Sequence, residues 1–198
     1  MSFFVRSTRV KVSFSFFAML TLAFLADGGY VTFIMLASVL LHESGHIFGM
    51  LALNYSPQEV SFGVFGIRIR QGGMSYSGEC IVALCGPLVN VVLGAIGFFV
   101  FSVLRSEFAF SVGTVNASLA VFNLIPIYPL DGGTALKSFL SGRFLQETVG
   151  RIMTALSVVL ICVLFAAGVL LLIETGDNPS MLFTSVYLAV LAIKGIRM

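Results

Sequence analysis

The chain has 198 residues, of which 58% are hydrophobic and 10% are charged, and its mean hydropathy is +1.05. Since about a quarter of the residues in a soluble domain are charged, this composition excludes a soluble globular protein, a disordered chain and a nucleic-acid-binding protein. The net charge of +2 is too small to indicate a polyanionic partner. We therefore expect a protein that is embedded in a membrane.

Six apolar segments are candidates for membrane-spanning helices, which need about 20 apolar residues each. In chain order they are 12–26, 31–53, 80–104, 108–127, 152–173 and 180–196. The first is the shortest and follows three basic residues, so it also resembles the core of a signal peptide. We interpret it as a retained span, because no convincing cleavage site follows Ala26 and because an even number of spans fits the charges better.

The distribution of basic residues predicts the orientation in the membrane. With the N-terminal end in the cytoplasm and six spans, ten of the eleven Lys and Arg residues fall on the cytoplasmic side. Only Arg105 falls on the opposite side, so the positive-inside rule is obeyed. We expect both termini to be cytoplasmic.

Residues 55–77 interrupt the series of apolar helices. Apolar and other residues alternate there with a period of two, as in the run Ile67, Arg68, Ile69 and Arg70, and two glycines follow. This pattern favours a β-hairpin, although a plain surface loop is the alternative interpretation. Because unpaired backbone cannot face lipid, the hairpin is expected at the membrane interface or against a protein cavity.

The second predicted span contains the sequence His42-Glu43-Ser44-Gly45-His46, and these are the only two histidines of the chain. Residues i and i+4 of a helix share one face, so both imidazoles can bind one zinc ion. Glu43 lies beside them, close to where an attacking water would be. Ionisable groups inside a membrane segment indicate function by default, whereas the alternative is a pair of packing histidines.

A catalytic zinc ion takes three protein ligands and keeps one open position. The candidate for the third ligand is Asp131, which follows Pro126 and Pro129 and precedes two glycines. Prolines three residues apart cannot continue a regular helix, so the fourth span is predicted to unwind near its cytoplasmic end. The unwound chain would let the carboxylate approach the histidines, whereas the alternative is a solvated loop carboxylate or a helix cap.

A third motif, Gly86-Pro87-Leu88-Val89-Asn90, lies within the third predicted span. Gly86 permits a close approach of another helix, and the Asn90 side chain needs a hydrogen-bond partner when it is surrounded by lipid. The motif by itself is also compatible with ordinary helix packing.

In this order, HESGH, GPLVN and NLIPIYPLDGG resemble the motifs of the site-2 protease family of intramembrane zinc metalloproteases. They extend over residues 31–133, about half of the chain. The short chain is most similar to the sporulation-type branch, of which stage IV sporulation protein FB is an example. We expect one domain over residues 1–198, with a catalytic core at about 31–133 and without the PDZ or CBS domain of some relatives.

The resemblance implies a role for each motif residue. It assigns one Zn²⁺ ion to His42, His46 and Asp131, and it assigns general-base catalysis to Glu43. It also implies that Asn123 contacts the substrate and that Asn90 holds the neighbouring loop, and we group both as substrate-binding residues. The family has a membrane-associated β-element after the HExxH helix, in agreement with the predicted hairpin.

We therefore expect an all-α polytopic membrane protein with about six transmembrane helices and a short membrane-associated β-hairpin. The predicted function is zinc-dependent cleavage of transmembrane or membrane-associated proteins in a bacterial cell membrane, with membrane proteins as possible regulators. The substrate backbone would add as a strand near Phe62 and Val64. The alternatives are an inactive relative that binds membrane partners and a zinc carrier, while the substrate and the oligomeric state stay open.

Overall fold

The computed structural model describes residues 2–5, 8–12, 29–56, 59–63, 66–70, 73–175 and 179–196. Within these residues the fold is mainly helical, and the chain divides into two compact units, Met1–Phe122 and Asn123–Met198. The six helices are α1 (Tyr30–Ala52), α2 (Tyr76–Leu104), α3 (Glu107–Leu124), α4 (Asp131–Ser141), α5 (Gln146–Thr175) and α6 (Ser180–Ile196). The four strands are β1 (Ser2–Val5), β2 (Thr8–Val12), β3 (Glu59–Gly63) and β4 (Gly66–Arg70).

Among the described helices, three are long and apolar enough to cross a membrane, namely α1, α2 and most of α5. They correspond to the predicted spans 31–53, 80–104 and 152–173. The predicted span 108–127 is represented by α3, which ends three residues earlier, and 180–196 by α6, whose apolar part covers only Met181–Ala192. The segment 12–26 lies outside the described residues except for Val12, the last residue of β2, so the count of six spans stays a prediction.

The surfaces of the long helices are apolar, as expected for contact with lipid. Large hydrophobic side chains are strongly exposed on each of them, among them Phe48 on α1, Phe99 on α2 and Ile173 on α5, at 73%, 69% and 75%. In water such a surface would be an extended aggregation hazard. Together with the length of the helices, it identifies the protein as a membrane protein.

In the first unit, α1 and α2 pack closely because glycines of α1 face α2. A Cβ atom at Gly45 would lie 2.8 Å from the Cys85 carbonyl oxygen, and one at Gly49 would lie 2.6 Å from Cys85 Sγ. Two small residues four positions apart are typical of helix pairs in membranes, where backbones approach through van der Waals contact. The close approach brings the histidine face of α1 against α2.

The contact between α2 and α3 in the same unit also depends on glycine. A Cβ atom at Gly97 would lie 2.5 Å from the backbone nitrogen of Gly113, and one at Gly94 would lie 3.3 Å from that of Ala117. Since the residue numbers rise on one helix as they fall on the other, the two helices are antiparallel. One turn beyond Gly113, Asn116 is thereby placed opposite Asn90 of α2.

The strands of the first unit form a sheet in the order β1-β2-β3-β4. Strands β3 and β4 pair antiparallel with Phe62 opposite Ile67, while β2 pairs parallel with β3 and places Val12 opposite Phe62. Phe62 therefore lies on an interior strand, which pairs with β2 on one side and with β4 on the other. A strand of substrate was predicted to pair near Phe62, but among the described strands the edge at this side of the sheet is β4. Val64 lies outside the described residues.

The second unit packs α4 and α6 against α5. Val149 and Met153 of α5 and Leu188 of α6 are buried at 0%, 4% and 0% exposure. At the crossing of α5 and α6, a Cβ atom at Gly168 would lie 3.1 Å from the backbone nitrogen of Leu182. The segment between α3 and α4 also belongs to this unit and carries Pro126 and Pro129, and the paired glycines 132 and 133 follow in the first turn of α4.

The contact at Gly97 predicts a difference between two glycine substitutions. Gly97→Ala forces α2 away from the Gly113 backbone and should lower the free energy of unfolding by about 1–3 kcal/mol, the usual cost of overpacking. Gly150→Ala in α5, where an added Cβ atom has no neighbour within 4 Å, should be neutral or stabilising by roughly 0.5–1 kcal/mol. Thermal unfolding midpoints in detergent measure both, and equal midpoints would contradict the close contact.

Candidate metal centre

The two histidines lie one turn apart on the buried face of α1, as the i, i+4 spacing predicts. Their side chains are only 6% and 8% exposed, for His42 and His46 respectively. The rings meet edge to face with centroids 4.9 Å apart, and the two Nε2 atoms are 3.2 Å from each other. Two polar rings with converging nitrogen atoms inside an apolar helix pair favour a ligand site over a packing contact.

The orientation of His46 is fixed by a hydrogen bond to the backbone of α2. His46 Nδ1 lies 2.8 Å from the carbonyl oxygen of Val82. A carbonyl oxygen only accepts, so Nδ1 carries the proton, and in the neutral ring Nε2 is then unprotonated. Nε2 of His46 is therefore the ring nitrogen that could bind a metal ion.

The orientation of His42 is fixed by a side chain of α2. His42 Nδ1 lies 2.5 Å from Oδ1 of Asn90, and the amide nitrogen of Asn90 donates to Asn116 Oδ1 at 2.8 Å and to the Ser38 carbonyl oxygen at 3.4 Å. Because the amide nitrogen faces these acceptors, the amide oxygen faces the imidazole. His42 Nδ1 therefore donates, and its Nε2 is unprotonated in the neutral ring.

Gly86 of α2 supplies the space that both rings occupy. A Cβ atom at this position would overlap His46 Nε2 and would lie 2.8 Å from His42 Nε2. Any other residue would therefore enter the volume where the two nitrogen atoms converge. The glycine of the GPLVN motif is explained by this contact, which is more specific than helix packing.

Asp131 is the first residue of α4, and the chain before it is unwound as the two prolines predict. The α3 helix ends at Leu124, and the segment up to Leu130 is held by a hydrogen bond from the Leu130 amide to the Ile127 carbonyl at 2.7 Å. Side chains at Gly132 and Gly133 would overlap the backbone of this segment. The paired glycines therefore allow the turn to fold tightly against the start of α4.

Two further contacts tie the turn to its neighbours within the second unit. The amide of Tyr128 donates to Ser157 Oγ of α5 at 3.3 Å. The Lys137 Nζ atom of α4 lies 4.5 Å from the centre of the Tyr128 ring, which is a cation–π contact. The position of Asp131 within this unit is thus determined by backbone and side-chain contacts on both sides of the turn.

Of the three ligands predicted from the sequence, His42 and His46 lie in the first unit and Asp131 lies in the second. Two imidazole nitrogens and one carboxylate oxygen are a donor set typical of catalytic zinc. Two nitrogen ligands on a tetrahedral zinc, with bonds of about 2.0–2.1 Å, stand about 3.3–3.4 Å apart, and the observed 3.2 Å between the Nε2 atoms fits this geometry.

The other predicted site residues have different surroundings. Glu43 follows His42 on α1 and is half-buried, and Asn123 is half-buried at the last turn of α3. Asn90 is fully buried, and both ends of its amide form hydrogen bonds within the first unit. The structure therefore places Asn90 against His42 rather than at a surface that a substrate can reach.

Three groups in the site were not identified from the sequence, namely Asn116, Ser38 and the Val82 carbonyl. The signal for Ser38 is its position four residues before His42, on the same face of the helix. The signal for Asn116 is an amide side chain in the middle of an apolar segment, which requires a buried partner. The backbone carbonyl has no signal in the sequence, because its role depends on which helices are neighbours.

Comparisons with known proteins agree with this site. The model of peptidase family M50 matches residues 102–164, a range that includes Asp131. The zinc metalloprotease MJ0392 of Methanocaldococcus jannaschii is 29% identical over 120 residues, which are 58% of this chain and 35% of that protein. The relative sll0528 of Synechocystis is 33% identical over 122 residues, 56% of this chain and 31% of the relative. The chain thus spans about a third of the length of these curated relatives.

A solved structure shares the fold. The site-2 protease from Methanocaldococcus jannaschii matches with a TM-score of 0.73 and 19% sequence identity, over 100% of this chain and 95% of that chain. The motif that ends in Asp131 lies within the range that the family model matches. The chain is therefore similar to peptidase family M50 and shares the fold of a site-2 protease.

Proposed function

We propose that this chain is a zinc-dependent endopeptidase that cleaves membrane-embedded or membrane-associated proteins. The observation that carries the proposal is the pair of imidazoles with Nε2 atoms 3.2 Å apart, each oriented by a hydrogen bond at Nδ1. His42, His46 and Asp131 are the proposed zinc ligands, and the zinc metalloproteases among the relatives support this assignment. The closer similarity to the sporulation-type branch stays a prediction.

Zinc bound by these three residues would lower the pKa of water and polarise the scissile carbonyl group. Glu43 then takes the proton from the attacking water and returns it to the leaving amine. Its carboxylate follows His42 on the same helix and is half-buried, so it is shielded from bulk solvent without being sealed off. Asn123, at the end of α3 and eight residues before Asp131, is the proposed substrate contact.

We propose that the site acts inside the membrane, since His42 and His46 lie within one of the three helices that can span it. Six spans with both termini in the cytoplasm of a bacterial cell agree with the positions of the basic residues. A helical substrate has its carbonyl groups in hydrogen bonds, so the segment to be cut must unwind before attack. Regulated cleavage of membrane proteins is the function that we infer from this arrangement.

An unwound substrate needs partners for its backbone, and we propose that β4 provides them. In the sheet of described strands, β3 is paired on both sides, whereas β4 has β3 as its partner on one side. Pairing of an extended substrate with such an edge supplies main-chain hydrogen bonds without a demand on sequence. This moves the proposed contact from Phe62 and Val64 to the adjacent strand of the same hairpin.

Substitution of the general base separates chemistry from metal binding. Glu43→Gln should keep one zinc per chain but lower the cleavage rate of a membrane-tethered substrate by about 10²–10⁴-fold, because proton transfer is lost. His42→Ala should lose both the zinc and the activity. Zinc content by elemental analysis and cleavage in detergent measure the two effects. Unchanged cleavage by Glu43→Gln would contradict the proposed enzyme, and wild-type zinc content in His42→Ala would contradict the proposed site.

Gly86 provides a test that removes no ligand. Gly86→Ala places a methyl group in the volume where the two Nε2 atoms converge, so we expect loss of zinc and of cleavage while all three ligands remain. Gly150→Ala is the matched control, since its methyl group has open space around it. Full zinc occupancy in a folded Gly86→Ala variant would be inconsistent with this placement of the rings.

If the substrate pairs with β4 as a strand, the effect of methylating its backbone nitrogens on the KM should alternate from one residue to the next. In a peptide substrate, methylation of one backbone nitrogen removes one donor, and alternate residues of a strand point to opposite edges. We expect the KM to rise by about 2- to 10-fold at every second position near the cleavage site, the effect of one lost hydrogen bond of about 0.5–1.5 kcal/mol. Cleavage kinetics of a methylation series in detergent measure the pattern. Equal sensitivity at neighbouring positions would rule out pairing with β4.

A further inference from the structure

We propose that Asn116 and Ser38 are positioning residues that hold His42 in the orientation and tautomer required of a metal ligand. The inference rests on the proposed function, because it assigns these residues to the zinc site formed by His42, His46 and Asp131. Neither residue touches the converging Nε2 atoms. They act on His42 through the side chain of Asn90.

The amide of Asn116 has a defined orientation. Its nitrogen donates to the Val112 carbonyl at 2.9 Å and to Ser38 Oγ at 2.9 Å. The Val112 carbonyl oxygen only accepts, so the amide nitrogen must face it and the amide oxygen must point the other way. That oxygen accepts from Asn90 Nδ2 at 2.8 Å.

The orientation of Asn90 follows from that of Asn116. With its nitrogen held by Asn116 Oδ1 and by the Ser38 carbonyl, Asn90 must turn its oxygen towards His42. The backbone of Val112 on α3 thus determines, through two amides, which nitrogen of His42 carries the proton. A reversed Asn90 amide would present a donor to Nδ1 and would favour the tautomer with the proton on Nε2, in which Nε2 has no lone pair for a metal.

Burial makes the loss of any one of these hydrogen bonds costly. Ser38, Asn90 and Asn116 are 3%, 0% and 1% exposed. Ser38 and Asn116 also line a cavity of about 510 Å³ whose walls are mainly apolar, formed by residues of α1, α2 and α3. A buried amide that loses its hydrogen-bond partner destabilises the fold by about 1–3 kcal/mol. Each residue of this hydrogen-bond network is therefore held in place by the others.

Ser38 contributes at two points. It lies one turn before His42 on α1, its carbonyl oxygen accepts from Asn90, and its hydroxyl oxygen accepts from Asn116. Removal of the hydroxyl leaves the carbonyl in place, so Ser38→Ala weakens the arrangement without breaking it. Asn116→Leu keeps the approximate volume of the side chain but removes the acceptor at 2.8 Å from Asn90 Nδ2, which leaves the Ser38 carbonyl oxygen at 3.4 Å. The two variants should therefore have graded effects.

His46 serves as an internal control within every sample. Its Nδ1 atom donates to the Val82 backbone and not to the chain of amides. Substitution of Asn116 should therefore change the tautomer of His42 and leave that of His46 as it is. Since these are the only two histidines of the chain, a sample with ¹⁵N-labelled histidine reports on both rings without further assignment.

The test measures zinc affinity and histidine tautomers in the full chain. We expect Asn116→Leu to weaken zinc binding by about 10–100-fold, the usual effect of losing a group that orients a ligand, and Ser38→Ala to weaken it less. Chelator competition in detergent measures the affinity. Ser185→Ala, which removes another buried hydroxyl (1% exposed, bonded to the Leu182 carbonyl), should bind zinc as the wild type does.

Metal-free protein at neutral to alkaline pH gives the second measurement. In the ¹⁵N spectrum of the wild type, both rings should carry the proton on Nδ1, whereas in Asn116→Leu only His42 should gain the other tautomer. Wild-type affinity and an unchanged His42 signal in this variant would overturn the inference. Should Asn116→Leu not fold, the same two measurements on Ser38→Ala decide it. Zinc-free wild-type protein, or wild-type affinity in His42→Ala, would instead overturn the proposed function itself.

Discussion

The convergence of two imidazole rings, each oriented at Nδ1 by an acceptor on α2, is the constraint on which this structure depends. The Nε2 atoms of His42 and His46 are 3.2 Å apart, and each opposite ring nitrogen donates to an acceptor on α2. When both rings are neutral and protonated at Nδ1, two lone pairs face each other at this distance, and a cation bound between them removes their repulsion. The arrangement of α1 and α2 is therefore understandable as a metal-binding geometry held in place by the protein.

Holding two polar rings in an apolar helix pair requires close backbone packing and satisfied hydrogen bonds. Glycines on α1, α2 and α3 let the three helices approach closely, with Gly45 and Gly49 at one contact and Gly97 and Gly113 at the other. The approach brings Asn90 and Asn116 within 2.8 Å of each other. The small residues therefore allow the buried amides to bond to each other. Amides without partners would be costly in such surroundings.

Much of the site was predictable because its parts are local in sequence. The spacing of His42 and His46 places them on one helix face whatever the rest of the chain does. Pro126 and Pro129 end a helix for steric reasons, and the chain between Leu124 and Asp131 is unwound accordingly. Helix ends were less predictable, since α3 stops three residues before the apolar segment does. The strands β1 and β2 were missed, because their short basic sequence was interpreted as the flank of a span.

The sequence by itself determined the apolar character of the chain, the histidine pair with Glu43 and Gly86, and the break before Asp131. Each of these follows from composition or from the geometry of a single helix or turn. The tertiary structure decided what surrounds the histidines, namely the Val82 carbonyl, the pairing of Asn90 with Asn116, and the interior position of Phe62 in its sheet. The first two of these contacts join residues that are 36 and 26 positions apart. All three depend on which helix faces and strands become neighbours, which no local pattern encodes.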